Sequence, residues 1–246
     1  MSNETANPPV AFNPALDLQG LRERFDATGR VQVKDAFSDD TAGRLHQCLS
    51  QETPWMLAFN EGETPRYLSR QEMDEMSDAQ KANMMQNIFS NASKQFQYAY
   101  SDFPVSGTIN DPNQPNQYTH DVLRFLNGQT FQDMIKKVTG LEGKFAVDGH
   151  ATCFQSGHFL TIHNDTDADD RREIAYVINM TPTWRSDWGA HLMFYDDEFN
   201  IVETFAPKYN TINMFRIPQA HAVSFVPPFC PQKRFGMTGW FHRFED

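Results

Sequence analysis

The second half of the chain is divided into short segments of strand length, and this feature constrains the fold more than any other. From about residue 143 onward, apolar or alternating runs recur with Gly, Pro, Asn and Asp clusters between them, which is typical of strands joined by turns. Eight such runs lie at 145–154, 159–163, 174–180, 191–195, 201–205, 212–217, 222–226 and 235–241. So many short strands in succession predict a closed barrel or a sandwich.

The first half of the chain shows helical periodicity and helix-capping signals instead. Ser38 can cap a helix whose apolar residues share one face. Ser69 and Ser77 are each followed three residues later by Glu or Gln, which is the spacing of a capping box. Two further helices are predicted around 119–127 and 130–139.

These patterns together predict an α+β protein. We expect a flexible tail at residues 1–16 and a single domain over 17–246, in which 17–142 is mainly helical support and 143–246 is the β core. Residues 101–118 contain three prolines and show no periodicity. We therefore predict a long polar loop there, which is either a linker or a lid over a site.

A histidine and an aspartate two positions apart lie at the end of one predicted strand. In His163-Asn-Asp165 the two side chains share a face of an extended chain, so they can converge on one ion. A second histidine, His221, opens a later predicted strand. Two imidazoles and one carboxylate are the ligand set of the facial triad that binds non-heme iron(II). The triplet alone is a weak signal in a chain with 8 histidines, so the rest of the pattern matters.

An arginine in an apolar context opens the last predicted strand. A buried guanidinium without a partner would be costly, so we expect Arg234 to bind an anion. Its planar fork fits a carboxylate. Thr238, four residues later, lies on the same face of the strand and could add a hydroxyl contact. A carboxylate of the protein core is the alternative partner for Arg234.

From residue 151 to residue 241 the chain resembles the prolyl-hydroxylase branch of the iron(II)/2-oxoglutarate oxygenases. The segments that match are ATCFQSGHFLTIHND, REIAYVINMTPTW, WGAHLMFYD, HAVSFVPP and RFGMTGWF. The resemblance implies a double-stranded β-helix, which is a jelly-roll or cupin-like barrel, with N-terminal supporting helices. It also implies His163, Asp165 and His221 as catalytic iron ligands, and Arg234 as the catalytic partner of the 2-oxoglutarate carboxylate.

Three positions depart from the pattern of these relatives. Phe154 and Val177 stand where relatives often have tyrosines that help to bind the cosubstrate. Ala190 replaces the second glycine of a pair that precedes a barrel strand. None of the three is a ligand of the triad, so the departures concern cosubstrate binding and substrate identity.

The resemblance implies a dioxygenase that uses Fe(II), 2-oxoglutarate and O2, with ascorbate as a supporting reductant. The expected reaction is hydroxylation of a prolyl residue in a protein or peptide, as in prolyl 4-hydroxylases, with succinate and CO2 as coproducts. A free amino acid or small metabolite is the alternative substrate. A cupin-type metalloenzyme that does not use 2-oxoglutarate, and a binding module without catalysis, are the alternative functions.

Charge and cysteine content exclude several other classes of protein. The 32 acidic and 21 basic residues give a net charge of −11, which argues against a nucleic-acid partner because phosphate binding needs clustered Lys and Arg. The 3 cysteines have neither zinc-site nor CxxC spacing. The acidic run with Asp167, Asp169 and Asp170 lacks the glycine and terminal glutamate of an EF-hand, so we interpret it as a solvated loop.

The sequence also bears on localisation. The first residues lack the apolar region of a secretory signal, and no apolar run reaches the length of a membrane helix. We therefore expect a cytoplasmic protein that does not bind membranes, and the oligomeric state stays open.

Overall fold

The structure is a computed structural model of the chain, and it describes residues 7–166 and 171–244. In these ranges, seven α-helices surround one sheet of thirteen strands. The helices are α1 (Leu18–Thr28), α2 (Asp39–Gln47), α3 (Arg70–Glu75), α4 (Asp78–Ala92), α5 (Val105–Thr108), α6 (Tyr118–Leu126) and α7 (Gln129–Thr139). A π-helical turn, Cys48–Glu52, continues α2.

The strands alternate with these helices in the first half and follow one another in the second. They are β1 (Arg30–Lys34), β2 (Met56–Glu61), β3 (Thr64–Leu68), β4 (Tyr98–Phe103), β5 (Phe145–Val147), β6 (His150–Phe154), β7 (Phe159–His163), β8 (Arg172–Asn179), β9 (Leu192–Tyr195), β10 (Ile201–Phe205), β11 (Thr211–Arg216), β12 (His221–Val223) and β13 (Arg234–Arg243). All eight predicted runs contain strands, and the first of them is divided into β5 and β6.

The helix starts follow from local side-chain chemistry. Ser38 accepts a hydrogen bond from the backbone N–H of Thr41, and Ser69 and Ser77 open α3 and α4 with complete capping boxes. The helix α7 ends at Gly140, whose φ of 72° is the left-handed conformation that glycine adopts without steric cost. These capping predictions are confirmed.

The sheet rolls into a nearly closed antiparallel barrel. Its strands are hydrogen-bonded in the order β1-β11-β8-β13-β6-β4-β7-β12-β9-β10, with β2 and β3 attached to β4 and with β5 attached to β13. The two end strands meet through side chains, since Arg30 on β1 forms an ion pair with Glu203 on β10 at 2.6 Å. The predicted α+β class is confirmed.

The largest hydrophobic core lies between the helices and the outer face of the strands β1, β11, β8, β13 and β6, which are neighbours in the sheet. Phe131 of α7 stacks on Phe241 of β13, with ring centroids 5.8 Å apart. Tyr176 on β8 and Met214 on β11 are fully buried in the same cluster. Because the helices cover this outer face, the inner face of the barrel is left to line a cavity.

The first half of the chain shows two features besides its helices. Strands β1 to β4 lie within the mainly helical region 17–142 and join the barrel sheet. Phe12 also forms a β-bridge with Phe37, and its ring packs 5.0 Å from that of Phe125. Both features depend on contacts with distant parts of the chain, which local periodicity does not reveal.

The acidic run with Asp167, Asp169 and Asp170 lies outside the described residues. Within the described ranges, no helix combines the length and the apolar character that are needed to cross a bilayer.

Candidate active site

Two neighbouring strands place two histidines side by side inside the barrel. His163 is the last residue of β7, and His221 is the first residue of β12. The two residues are direct partners in the antiparallel register, and their ring centroids lie 4.1 Å apart.

Asp165 completes this group of ligand-type side chains. It follows β7 with a left-handed backbone, φ 61°, which aspartate tolerates better than most residues. Its Oδ1 lies 3.3 Å from His163 Nε2, and its Oδ2 lies 3.3 Å from His221 Nε2. One ligand atom from each of the three residues lies within 4.8 Å of the others. The structure therefore brings the three sequence-predicted metal ligands together.

Backbone carbonyls orient both imidazole rings from behind. His163 Nδ1 lies 2.9 Å from the carbonyl oxygen of Thr161, and His221 Nδ1 lies 2.8 Å from that of Gln219. Since a carbonyl only accepts hydrogen bonds, each Nδ1 carries a hydrogen and each Nε2 is directed at Asp165. This is the arrangement that prepares an imidazole to bind a metal through Nε2.

The carboxylate of Asp165 is ionised. Burial raises its pKa, but hydrogen bonds and positive charge from His163 and His221 hold that pKa well below its usual range. The ligand set therefore includes one negative charge whose side chain is only 8% exposed.

Arg234 lies at the start of β13 and is fully enclosed. Its Nε and Nη2 donate to Asn179 Oδ1 at 3.1 and 2.8 Å, and its Nη1 donates to the carbonyl oxygen of Ala190 at 2.9 Å. Burial lowers the pKa of Arg234 to about 10, so the guanidinium stays positive at neutral pH. No carboxylate of the described residues forms an ion pair with it, which removes the core carboxylate as an explanation of this arginine.

Thr238 lies on the same face of β13 as Arg234, as the sequence predicted. Its hydroxyl donates to the carbonyl oxygen of Tyr176 at 2.9 Å. The only hydrogen that Thr238 could offer to a carboxylate is therefore already engaged, so its expected contact with the cosubstrate has less support than that of Arg234.

All five predicted site residues line one cavity of about 430 Å³. The wall of this cavity also includes apolar side chains such as Leu160, Val223 and Phe215. The cavity thus joins a metal-binding set of donors to an isolated positive charge.

Three contributors to this cavity were not anticipated from the sequence. Asn179 holds the Arg234 guanidinium in place with one oxygen that accepts two N–H groups. Tyr98 and Tyr100 extend along the wall from β4, which the sequence patterns assigned to a helical region. The period-two alternation of β8 could have placed Asn179 on the inner face, but no local signal marks the two tyrosines.

The positions that depart from the relatives lie around Arg234. Phe154 packs its ring 5.3 Å from the guanidinium carbon, and Val177 lines the cavity without a polar atom. Ala190 adopts φ 52°, a conformation that favours glycine, while its carbonyl oxygen accepts from Arg234.

The polar loop predicted at 101–118 is not a lid. Residues 101–103 belong to β4 and 105–108 form α5, and none of the described residues 104–117 lines the cavity. Ser106 instead accepts a hydrogen bond from the backbone N–H of Gly149 at 2.7 Å, and Thr108 contacts His120. This segment serves the packing of α5 and α6.

The chain is similar in sequence to known proteins. Residues 149–242 match the family model of the 2OG-Fe(II) oxygenase superfamily. A curated relative, prolyl 3-hydroxylase OGFOD1 of Mus musculus, is 26% identical over 157 residues, which are 60% of this chain and 28% of that protein. The chain therefore spans only about a quarter of the length of this relative.

Solved structures show the same fold. A prolyl-4-hydroxylase of Pseudomonas putida superposes with a TM-score of 0.56 and 16% identity over 93% of this chain and 100% of that chain. A prolyl hydroxylase of Trichoplax adhaerens, in complex with a hypoxia inducible factor peptide fragment, gives 0.58 and 14% over 92% and 88% of the two chains. The double-stranded β-helix expected from the resemblance is thereby confirmed.

Proposed function

We propose that the chain is a prolyl-hydroxylase-like dioxygenase of the 2OG-Fe(II) oxygenase superfamily, and that it hydroxylates a prolyl residue of a protein or peptide. The names of the mouse relative and of the two solved neighbours support this class of substrate. The observation that carries the proposal is a single cavity that combines the His-Asp-His set with a buried arginine that no carboxylate of the described residues neutralises.

The three ligand residues fit an iron(II) ion. The Nε2 atoms of His163 and His221 each lie 3.3 Å from an oxygen of Asp165, and the lone pairs that face one another there repel unless a cation or protons lie between them. Two imidazoles with one carboxylate are the donor set of non-heme iron(II) sites, so we assign His163, Asp165 and His221 as its ligands.

The cavity also fits 2-oxoglutarate. Arg234 keeps its charge, and its three observed hydrogen bonds leave two of its five N–H groups for a further acceptor. A carboxylate is the acceptor that a guanidinium fork binds best. We therefore assign Arg234 as the residue that binds the carboxylate of 2-oxoglutarate farther from the metal ligands, with Thr238 beside it.

Iron(II) and 2-oxoglutarate, when bound together, would supply the activation of O2 that hydroxylates a C–H bond and yields succinate and CO2. The protein's own residues hold and enclose these groups. Asn179 orients the guanidinium, and the backbone carbonyls behind His163 and His221 fix both rings. The apolar side chains of Leu160, Val223 and Phe215, which line the cavity, would limit the access of water to the reacting centre. Residues 17–246 would act as one domain, because the helices and the barrel share one core.

The first test is succinate formation from 2-oxoglutarate when oxygen is admitted to anaerobically iron-loaded protein. We expect succinate from the wild type and none above background from His163→Ala, since the loss of one ligand removes the metal site. His46→Gln is the matched control, because His46 lies outside the cavity, where its Nδ1 forms a hydrogen bond with the carbonyl oxygen of Met180. A wild-type protein that binds no iron would refute the proposal.

The second test concerns the substrate. Prolyl peptides and free amino acids are incubated with the loaded enzyme, and the gain of one oxygen atom is measured by mass spectrometry. Hydroxylation of peptides but not of free proline would support the proposed substrate class. The opposite result would assign the enzyme to free amino acids or small metabolites.

A further inference from the structure

The wall between Arg234 and the metal ligands is built from aromatic side chains. Arg234 on β13 is the cross-strand partner of Phe154 on β6. The Phe154 ring in turn stacks on that of Tyr100 on β4, with centroids 5.2 Å apart and planes 22° from parallel. The next strand beyond β4 in the sheet is β7, which ends at His163. A ligand that extends from Arg234 to the triad therefore passes Phe154 first and Tyr100 next.

Only one of these two stacked rings carries a polar atom. Phe154 has no hydroxyl, and Val177, which also lines the cavity, has none either. Tyr100, which also lines the cavity, carries a phenol hydroxyl. The side chain of Tyr100 is half-buried and faces the cavity, so its hydroxyl can donate a hydrogen bond to a ligand bound there.

The hydroxyl of Tyr100 is a hydrogen-bond donor at every pH of interest. Burial raises the pKa of Tyr100 well above its ordinary value, and the carboxylate of Asp102 adds to this effect. Beyond Tyr100, the row of rings on this wall continues through Tyr98, whose centroid lies 5.3 Å from that of Tyr100, to Phe96, whose centroid lies 5.2 Å from that of His163.

We propose that Tyr100 donates a hydrogen bond to bound 2-oxoglutarate, at the half of the molecule that faces the metal ligands. This inference rests on the proposed function. Arg234 holds the far carboxylate, and Tyr100 supplies from β4 the hydroxyl contact that Phe154 on β6 cannot make. Tyr100 is thus a cosubstrate-binding residue of this chain.

The test measures binding rather than turnover. Wild type, Tyr100→Phe and Tyr100→Phe/Phe154→Tyr are loaded with Zn(II), which binds the same ligand types without oxygen chemistry, and are titrated calorimetrically with 2-oxoglutarate. Loss of a hydrogen bond to a charged group should raise the Kd of Tyr100→Phe about ten- to a hundredfold. The double variant should recover most of this loss, since it returns a hydroxyl to the adjacent stacked ring.

Two further variants make the result specific. Tyr67→Phe on β3, which lies outside the cavity with a half-exposed ring, should bind 2-oxoglutarate as the wild type does. A Kd of Tyr100→Phe within twofold of the wild type would overturn the inference, and so would an equal loss in Tyr98→Phe, which would indicate a general effect of the aromatic wall. If the wild type itself binds Zn(II) but no 2-oxoglutarate, the proposed function fails first and the role of Tyr100 fails with it.

Discussion

Arg234 holds a positive charge in the cavity wall with only neutral partners among the described residues, Asn179 and the carbonyl of Ala190. Taking a cation out of water is costly, and two neutral acceptors offset only part of that cost. The lowered pKa of Arg234, about 10, is a direct expression of this desolvation. An anion that enters the cavity therefore offsets the desolvation cost of the Arg234 guanidinium, and this strengthens the binding of the anion.

We predict that 2-oxoglutarate stabilises the protein through this residue. At a concentration of about 100 times its Kd, a ligand adds about 2.7 kcal/mol to the free energy of unfolding. With Zn(II) present, saturating 2-oxoglutarate should raise the Tm of the wild type by several degrees and leave that of Arg234→Met unchanged. Differential scanning calorimetry measures both.

The control for this prediction is Arg216→Met. Arg216 lies at the end of β11, outside the cavity, with its guanidinium over the ring of Phe25. This variant should retain the full ligand-induced shift in Tm even if its own Tm is lower. A shift that survives in Arg234→Met would show that the anion binds elsewhere.

Strand β13 carries Arg234 and Thr238 on its inner face with a glycine between them. Gly236 is the register partner of Asn179 on β8. A Cβ built on Gly236 would lie 2.3 Å from the carbonyl oxygen of Ile178, a backbone atom that cannot move alone. The absence of a side chain thus lets β13 and β8 approach closely enough for Asn179 to reach the guanidinium.

We predict that Gly236→Ala lowers the free energy of unfolding by about 1–3 kcal/mol or more, because it forces two core strands apart. Gly43→Ala is the matched control, since Gly43 is exposed within α2 and an added Cβ would meet nothing within 4 Å. That variant should gain about 0.5–1 kcal/mol from helix propensity. Urea denaturation of both variants measures the difference, and equal effects of the two substitutions would contradict this account of β13.

At the scale of the whole molecule, His158 couples stability to pH. It lies in the connection between β6 and β7, and its Nδ1 donates to the carbonyl oxygen of Cys153 at 3.2 Å. Its own carbonyl oxygen accepts from the backbone N–H of Val226. Burial lowers the pKa of His158 to about 4 from an unfolded value of 6.5, so the folded protein keeps this ring neutral.

The unfolded chain binds a proton at this position more readily than the folded chain between pH 6.5 and pH 4. The contribution of His158 to the free energy of unfolding is therefore complete above pH 6.5. It is lost as the pH falls through this window, by about 3 kcal/mol in total. Urea unfolding at a series of pH values measures this slope. In His158→Gln, which cannot titrate at this position, the free energy of unfolding should change less steeply with pH, by the equivalent of one bound proton. Equal slopes in the variant and the wild type would exclude His158 as the cause.

Local patterns in the sequence account for a large part of the fold and of the metal site. Strand-length runs in 143–246, the caps at Ser38, Ser69 and Ser77, and the C-terminal glycine of α7 are encoded within a few residues. His163 and Asp165 share a face because a strand has a period of two, and His221 and Arg234 each open a strand. Such features depend on backbone geometry and short-range hydrogen bonds, which neighbouring residues determine by themselves.

Only the tertiary structure decided which distant segments meet in the cavity. The strand β4 enters the barrel between β6 and β7, and this brings Tyr100 beside Phe154, while Asn179 meets Arg234 across β8 and β13. The loop after β4 is drawn away from the cavity by its contacts with α6 and with the turn at Gly149. These outcomes follow from which strands pair and which faces are buried, and that choice minimises the free energy of the whole chain rather than of any local segment.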